Sequence, residues 1–289
     1  MSPQRICAVT GSAGYVGGKI KLHLERAGWA VSSWTRRPVG KSDVKFQLGE
    51  DVDPKLFDNV TALIHCAYDF SLRSWDDIGA VNIRGSEKIL RAARSAGVQN
   101  IVFVSSVSAF EGCRALYGKA KMEIESVARS VNAFVIRPGL VYGNQAGGVF
   151  GGLVNQTRRS RIIPLIGGGQ QLQFLVHDED LGQFVSRCIA GGFPSPGNAV
   201  TLAHEQGWTM RSLLEELARA QGKHPKFLPV PWRLVWMGLK SLEVLHLPAP
   251  FRSDSLISFV YQNPTPSFEL AKSLGAQCRP FQITPAMFG

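Results

Sequence analysis

The stretch Ile6–Leu24, I-C-A-V-T-G-S-A-G-Y-V-G-G-K-I-K-L-H-L, decides the fold. Its apolar start, Ile6–Val9, is typical of a buried β-strand, and the apolar spacing from Val16 onward predicts one face of a helix. A glycine-spaced turn, Thr10–Gly17, lies between them. Unpaired N–H groups and the helix dipole make such a unit an anion site, and glycines let a pyrophosphate approach the backbone.

The composition is that of an ordinary globular protein. The chain has 289 residues, of which 45% are apolar and 19% charged, enough for one domain or one and a half. No apolar run reaches the ~18 residues that span a bilayer, and the N-terminus lacks a signal-peptide core. The five cysteines are scattered without CxxC spacing, so we expect reduced thiols in a cytoplasmic protein, without a disulfide or a zinc site.

The net charge of +10 leaves two interpretations. It is either a solvated basic surface or a sign of an anionic partner, such as a phosphorylated cofactor, an acidic membrane or a nucleic acid. Basic residues are spread out, with one small cluster at Arg158, Arg159 and Arg161. Since no nucleic-acid-binding motif is visible, we expect no nucleic-acid partner.

Short apolar runs alternate with helical patterns through the first half of the chain. The predicted strands are Ile6–Val9, Ala30–Trp34, Val44–Leu48, Thr61–Cys66, Asn100–Ser105 and Ala133–Arg137, and the later predicted helices are Ile78–Ala96 and Leu116–Ser130. Nearly continuous apolar strands separated by helices predict an α/β fold, a Rossmann-type doubly wound parallel sheet covered on both faces. Its ligands bind beyond the carboxyl ends of the strands.

The regular alternation fades after Gly143. We predict a dinucleotide-binding domain at 1–143, completed by segments near 174–205, and a smaller substrate-binding region at 144–173 and 206–289. The later predicted elements are a helix near Asp180–Ala190, a strand near Ala199–Ala203 and a helix at Met210–Gln221 that Thr209 introduces.

The segment Trp232–Leu247 is strongly apolar with interspersed basic residues. We favour a helix that packs over a substrate pocket. The other interpretation is a helix that lies on a membrane surface, so peripheral membrane contact stays open, whereas a membrane span is not expected.

The second predicted strand ends in Ser33–Pro38, S-W-T-R-R-P. This position meets the adenosine ribose in such folds, and an acidic residue there would hold the ribose hydroxyls of NAD. The stretch has no acid, whereas Arg36 and Arg37 suit a 2′-phosphate through charge-assisted bonds. We therefore expect NADP(H) rather than NAD(H). The alternative is that both arginines are merely solvated.

Tyr117 and Lys121 are four residues apart on a predicted helix and so share one face. A nearby ammonium favours the phenolate, so Tyr117 could pass a proton to or from a substrate oxygen while hydride moves to or from the cofactor. Ser105 and Ser106 end the preceding strand, where a hydroxyl can hold the substrate oxygen.

Several motifs occur in a characteristic order. The segments are T-G-S-A-G-Y-V-G at Thr10–Gly17, I-H-C-A at Ile64–Ala67, V-N-I-R-G at Val81–Gly85, V-S-S at Val104–Ser106, Y-G-K-A-K at Tyr117–Lys121, R-P-G-L-V-Y-G at Arg137–Gly143 and V-H-D-E-D-L at Val176–Leu181. Over nearly its whole length the chain resembles the extended short-chain dehydrogenase/reductase superfamily, of the NAD-dependent epimerase/dehydratase type.

The resemblance implies roles for matching residues. Ser106, with Ser105 as the fallback, orients the substrate; Tyr117 is the acid/base; Lys121 binds the nicotinamide ribose and lowers the Tyr117 pKa. The implied cofactor-binding residues are Thr10, Gly11, Ser12, Ala13, Gly14, Tyr15, Val16, Gly17, Arg36, Arg37, Cys66, Ala67, Asn82, Ser105, Tyr117, Lys121, Pro138 and Gly139. A homodimer through the helices that carry Asn82 and Tyr117 is a further expectation from the resemblance.

Two departures from the family pattern bear on the substrate. Only ten residues, 107–116, separate Ser106 from Tyr117, which predicts a more open or differently closed pocket. Gln173 stands where nucleotide-sugar enzymes often carry a diphosphate-binding arginine. The cluster at 158–161 could substitute for that arginine.

The remaining candidates have structural interpretations. We expect His65 to pack at a strand end, although an imidazole near the cofactor stays open, and His177 in H-D-E-D to be structural, so no metal site is expected. Glu123 and Glu125 are read as a solvated helix face.

These features favour an NADP-dependent oxidoreductase that acts on the carbonyl or alcohol of a small organic or lipid-like substrate. A nucleotide-sugar epimerase or dehydratase is the alternative within the family. A non-catalytic NADP(H)-binding regulator is the alternative of another class, and the intact Ser106–Tyr117–Lys121 set disfavours it.

Overall fold

A seven-stranded parallel β-sheet forms the centre of the fold, in a computed structural model that describes residues 5–40, 42–191, 195, 197–248 and 251–288. The other positions, the amino-terminal 1–4 among them, lie outside the described residues. The strands are β1 Ile6–Thr10, β2 Ala30–Thr35, β3 Asp43–Lys45, β4 Val60–His65, β5 Asn100–Val104, β6 Phe134–Pro138, β7 Leu140–Tyr142, β8 Ile162–Ile166, β9 Leu172–Gln173, β10 Leu175–His177, β11 Val200–Leu202, β12 Trp208–Thr209 and β13 Lys226–Val230. The sheet order is β11-β6-β5-β4-β1-β2-β3.

Helices cover both faces of this sheet. They are α1 Tyr15–Arg26, α2 Trp75–Ile78, α3 Arg84–Ser95, α4 Leu116–Ser130, α5 Gly148–Arg159, α6 Asp178–Ile189, α7 Met210–Ala220, α8 Trp232–Val244, α9 Ser253–Val260 and α10 Glu269–Ser273. Ile20 of α1 and Leu181 of α6 are buried in the core on one face, and Ile89 of α3 and Ile124 of α4 in the core on the other. The predicted α/β doubly wound parallel sheet is confirmed.

Most predicted elements occur with shifted ends. The predicted third strand, Val44–Leu48, is only Asp43–Lys45, because Phe46 enters the core from an irregular segment and packs on Trp34. The predicted helix Ile78–Ala96 begins at Trp75 and contains one π-helical turn, Gly79–Ile83.

The C-terminal part builds smaller sheets beside the main one: β7–β10 and β8–β13, both parallel, and antiparallel β9–β12. Thr209 caps α7 by accepting a hydrogen bond from Ser212 N, as its position predicts. β11 returns to the main sheet and pairs with β6. The proposed division of the chain at residue 143 stays a prediction.

The segment Trp232–Leu247 was predicted to be a helix that packs over a substrate pocket. The segment does form a helix, α8, which packs against α9, and α9 is one of several helices that line a cavity of about 890 Å³. No helix within the described residues is long and apolar enough to cross a bilayer.

Candidate active site

One cavity of about 890 Å³ lies at the carboxyl ends of the central strands. Its wall takes residues that directly follow four strands: Gly11 after β1, Arg36 after β2, Cys66 after β4 and Ser105 after β5. Tyr117 and Lys121 of α4 line it as well. The cavity therefore joins the glycine turn to the Tyr–Lys pair.

The glycine turn needs its glycines for close packing. Gly11 has φ +68°, and a Cβ there would lie 2.9 Å from Ala67 Cα. A Cβ on Gly17 would lie 2.4 Å from Gly11 O. Both positions exclude a side chain, so the start of α1 lies close against the turn and its N–H groups face the cavity end.

Two predicted cofactor residues lie behind the cavity wall and hold it in place. The Thr10 hydroxyl bonds His65 Nδ1 at 2.8 Å and accepts from the backbone N–H of Cys66 and of Ala67 at 3.2 Å. Asn82 is fully buried: its Oδ1 accepts from Asp69 N at 2.7 Å and its Nδ2 donates to Asp69 O at 3.0 Å. They fix the turn after β4.

The remaining predicted cofactor residues either line the cavity or lie outside its wall. Ser12 is buried and lies outside the wall. The predicted residues that line the cavity are Gly11, Ala13, Gly14, Tyr15, Val16, Gly17, Arg36, Cys66, Ala67, Ser105, Tyr117, Lys121, Pro138 and Gly139.

The two arginines after β2 differ in position. Arg36 lines the cavity, and its Nη1 lies 3.8 Å from Asp69 Oδ2. Arg37 is exposed and lies outside the cavity wall. Thr35 also lines the cavity, and its Oγ1, which is buried, has no hydrogen-bond partner within the described residues.

Ser106 and Ser105 point to different places. Ser106 lines the cavity with Tyr117, and its hydroxyl also accepts from Ser108 N at 3.1 Å. The Ser105 hydroxyl donates to Glu125 Oε1 at 2.6 Å. The geometry thus favours Ser106 for contact with a substrate.

The predicted lowering of the Tyr117 pKa does not hold in the structure. Burial raises the pKa of Tyr117 to about 12, against an opposing effect of the Ser106 hydroxyl. The Lys121 ammonium donates to Val104 O at 2.9 Å and lies 6.0 Å from the centre of the Tyr117 ring. Burial also lowers the pKa of Lys121 to about 8.

The prediction that Glu125 belongs to a solvated face was wrong. Its carboxylate is fully buried and accepts from Arg137 Nε at 2.7 Å and Arg137 Nη2 at 2.6 Å, besides Ser105. Two residues earlier, Glu123 is exposed as expected. Glu125 therefore joins the middle of α4 to the ends of β5 and β6.

An aromatic group beside Tyr117 escaped sequence reasoning. The Tyr68 ring meets the Tyr117 ring edge-on at 5.1 Å, and the Phe70 ring lies 5.5 Å from it. Burial raises the pKa of Tyr68 above its usual range. Tyr68 follows I-H-C-A directly and Phe70 follows two residues later, and aromatic residues after that motif are the one signal that could have found them.

Helix α9 closes the cavity near the short loop 107–115. Asp254 accepts from Leu116 N at 2.7 Å and from Tyr117 N at 3.2 Å, so it caps α4. Ser258 Oγ bonds Ser108 Oγ at 3.3 Å. The loop is short, and α9 closes this side of the pocket beside it. Nothing local in the sequence could have found Asp254.

A neutral side chain stands at the position where nucleotide-sugar enzymes often carry a diphosphate-binding arginine. Gln173 lines the cavity, and its Nε2 donates to Gln262 Oε1 at 3.0 Å. Arg158 and Arg159 lie at the end of α5, with Arg161 just beyond, all outside the cavity wall. The arginine cluster is therefore not placed to replace the missing arginine.

The two histidines have structural partners. Burial lowers the pKa of His65 to about 3, and its Nε2 bonds Ser86 Oγ at 2.8 Å, so the ring is neutral. His177 Nδ1 accepts from Glu179 N at 3.2 Å and caps α6. Across the described residues, no group of three His, Cys, Asp or Glu side chains could hold a metal ion.

A parallel sheet with a glycine turn at one end of its cavity and a Tyr–Lys pair at the other defines an extended short-chain dehydrogenase/reductase. Comparison with known families agrees. The family model described as "NAD dependent epimerase/dehydratase family" matches residues 7–196. The chain belongs to that family and is an enzyme of this type.

Relatives within the family differ in activity. A ceramide reductase of Caulobacter vibrioides is 24% identical over 238 residues, covering 78% of this chain and 74% of that protein. A UDP-glucose 4-epimerase of Vibrio cholerae is 27% identical over 259 residues, covering 77% and 78%.

Solved structures share the fold. MoeE5 in complex with UDP-glucose and NAD has a TM-score of 0.68 at 19% identity, covering 88% of this chain and 96% of that one. The UDP-glucose 4-epimerase of Thermotoga maritima with UDP-glucose has a TM-score of 0.65 at 22% identity, covering 78% and 86%.

Proposed function

We propose that the protein is an NADP-dependent oxidoreductase that acts on the carbonyl or alcohol of an amphiphilic, lipid-like substrate. The single observation that carries the proposal is the cavity itself. It has Arg36 at the adenosine end and Tyr117 and Lys121 at the reacting end. The rings of Tyr68 and Phe70 lie beside Tyr117, and Arg252 also lines the cavity there.

The residues of the cavity fit a dinucleotide with a 2′-phosphate. The glycine turn leaves room that a Cβ would fill, and the Oγ1 of Thr35, the residue before Arg36, lacks a hydrogen-bond partner among the described residues. Gly11–Gly17 would hold the pyrophosphate, and Thr35 and Arg36 the phosphorylated ribose. Arg37 lies too far around the strand end to line that site, so we assign the preference to Arg36.

In the proposed reaction the protein moves a proton and positions the substrate. A bound nicotinamide supplies the hydride chemistry. Ser106 orients the substrate oxygen, and Tyr117 gives it a proton in reduction or takes one in oxidation. Lys121, which lines the cavity one helical turn after Tyr117, would hold the nicotinamide ribose.

The aromatic part of the cavity wall suits an apolar chain, and Arg252 is the one arginine beside it in the described lining. Tyr68 and Phe70 lie against Tyr117, and Phe259 of α9 lines the same space. Gln173 and Gln262 satisfy each other where a diphosphate would need cations. The similarity to a ceramide reductase supports the same substrate class.

The family alternative is a nucleotide-sugar epimerase or dehydratase, and the similarity to UDP-glucose 4-epimerase favours it. Such an enzyme returns the hydride within one turnover.

The division into a cofactor domain at 1–143 with segments near 174–205 and a substrate region at 144–173 and 206–289 belongs to our proposal, as does a cytoplasmic location. The contribution of α9 to the cavity supports the substrate region.

A substrate panel tests the proposal. Purified protein is incubated with NADPH and either a ceramide oxidised to its ketone or UDP-glucose, with NADPH absorbance and product chromatography as readouts. We expect NADPH to be consumed in proportion to the alcohol formed from the ketone. Conversion of UDP-glucose to its epimer without net NADPH loss contradicts the proposal. NADPH binding without turnover of any substrate favours the regulator.

A further inference from the structure

The outer face of α8 is an apolar stripe without a protein partner among the described residues. Leu234, Met237, Val244 and Leu245 recur at helical spacing on one side and each expose 57–66% of their surface. In α8 only Leu239 is buried. A helix of a globular protein usually turns its apolar side inward, so this stripe is unusual.

The opposite side of α8 is fixed to α9 at both ends. The Trp232 ring meets the Tyr261 ring edge-on at 5.6 Å. At the other end, Glu243 accepts from Ser253 N and from Ser253 Oγ, both at 2.8 Å. These contacts hold the helix so that the stripe faces outward.

The charges around the stripe are nearly all positive. Arg233 and Lys240, seven residues apart, share one edge of the stripe and are both exposed. The segment 226–248 has a single acidic residue, Glu243, which is bonded to Ser253 and lies 3.6 Å from Lys240 Nζ. An apolar stripe with a basic edge complements the apolar and anionic layers of an acidic bilayer.

The position of α8 would bring the cavity to such a surface. Asp254, Ser258 and Phe259 of α9 line the cavity, and α8 packs on the other side of α9. A bilayer that covers α8 therefore lies one helix away from the cavity.

We propose that the outer face of α8, Leu234, Met237, Val244 and Leu245 with Arg233 and Lys240, docks on an anionic phospholipid bilayer. Docking is independent of the reaction. If the substrate is lipid-like, which rests on the function proposed above, the same surface places the enzyme where that substrate resides.

Vesicle cosedimentation tests this. We expect the protein to sediment with phosphatidylcholine vesicles that contain phosphatidylglycerol, and less as salt rises. Leu234→Asp and Val244→Asp should each lower the partition coefficient about tenfold, since each removes a buried apolar side chain from the bound state. Arg233→Ser and Lys240→Ser should each lower it about fivefold, with anionic vesicles only. Leu22→Asp, an exposed leucine on α1, is the matched control and should bind as wild type.

Three results overturn the proposal. One is no sedimentation of wild type with anionic vesicles. Another is a partition coefficient that Leu234→Asp and Leu22→Asp lower equally. The third is a wild-type dimer in light scattering that Leu234→Asp dissociates, which would make the stripe an interface between two copies. Circular dichroism and Tm, measured for every variant, check that the fold is intact and keep this test separate from that of the proposed function.

Discussion

The carboxylate of Asp254 caps the helix that begins with Leu116 and Tyr117. Asp254 lies 137 residues beyond Tyr117 in the chain, on the first turn of α9. A negative charge here meets the positive end of the α4 dipole and two N–H groups that lack helical partners. The helix that closes the cavity therefore also sets the position of the tyrosine at its centre.

Removal of this cap should impair turnover as well as stability. We expect Asp254→Ala to cost about 1 kcal/mol of unfolding free energy and about 2–4 °C in Tm. The turnover number, kcat, should fall while NADPH affinity holds. Asp254→Asn keeps one oxygen acceptor, so its Tm and kcat should lie between those of wild type and Asp254→Ala. Equal kcat in wild type and Asp254→Ala, despite a lower Tm, would show that the cap serves only folding.

The Glu125–Arg137 pair makes a second prediction, about stability alone. Glu125→Gln removes the buried carboxylate that Arg137 binds through two nitrogens, so we expect a loss of about 3–5 kcal/mol in denaturant unfolding. Glu123→Gln, on the exposed side of the same helix, should change the free energy by less than about 0.5 kcal/mol. Similar losses in both variants would contradict the structural account of Glu125.

The lowered pKa of Lys121 makes stability depend on pH. Its pKa falls from 10.5 to about 8 on folding, so the unfolded chain binds more protons between these values. Wild-type stability relative to Lys121→Met should therefore rise between pH 8 and 10.5, by up to about 3 kcal/mol. The contribution is lost as pH falls through 8. Lys119→Met, which is exposed on the same helix, is the control for the substitution itself. A flat difference curve for Lys121→Met would contradict the burial of this charge.

Cofactor preference should depend on one arginine of the two. Arg36→Ala should weaken NADPH binding about tenfold or more, because a charge-assisted bond to phosphate contributes about 1.5–3 kcal/mol, and should leave NADH binding unchanged. Arg37→Ala is the adjacent control and should bind NADPH as wild type. Fluorescence titration of each variant measures both affinities. A wild-type preference for NADH would refute the assignment of Arg36.

The sequence predicted the elements whose signal is local. Helix α4 has the predicted bounds, Leu116–Ser130, because its apolar spacing is regular over four turns. The glycine turn was recognisable because only glycine tolerates the close approach at Gly11 and Gly17.

The features that sequence reasoning missed depend on contacts between distant segments. Glu125 differs from Glu123 only because Arg137 of a neighbouring strand reaches it. The apolar pattern of α8 shows that the helix has an apolar face, but not whether that face meets the cavity or the exterior. The structure assigns the cavity to α9, which is short and carries polar residues among its apolar ones.

In the proposed reaction, Tyr117 transfers the proton in a net reduction by NADPH. Single-turnover NADPH oxidation with the ketone substrate, compared between wild type and Tyr117→Phe at equal NADPH occupancy, tests it most directly. We expect the rate to fall by about 10²–10⁴-fold in Tyr117→Phe, with the Kd for NADPH unchanged. A rate equal to that of wild type would contradict the account.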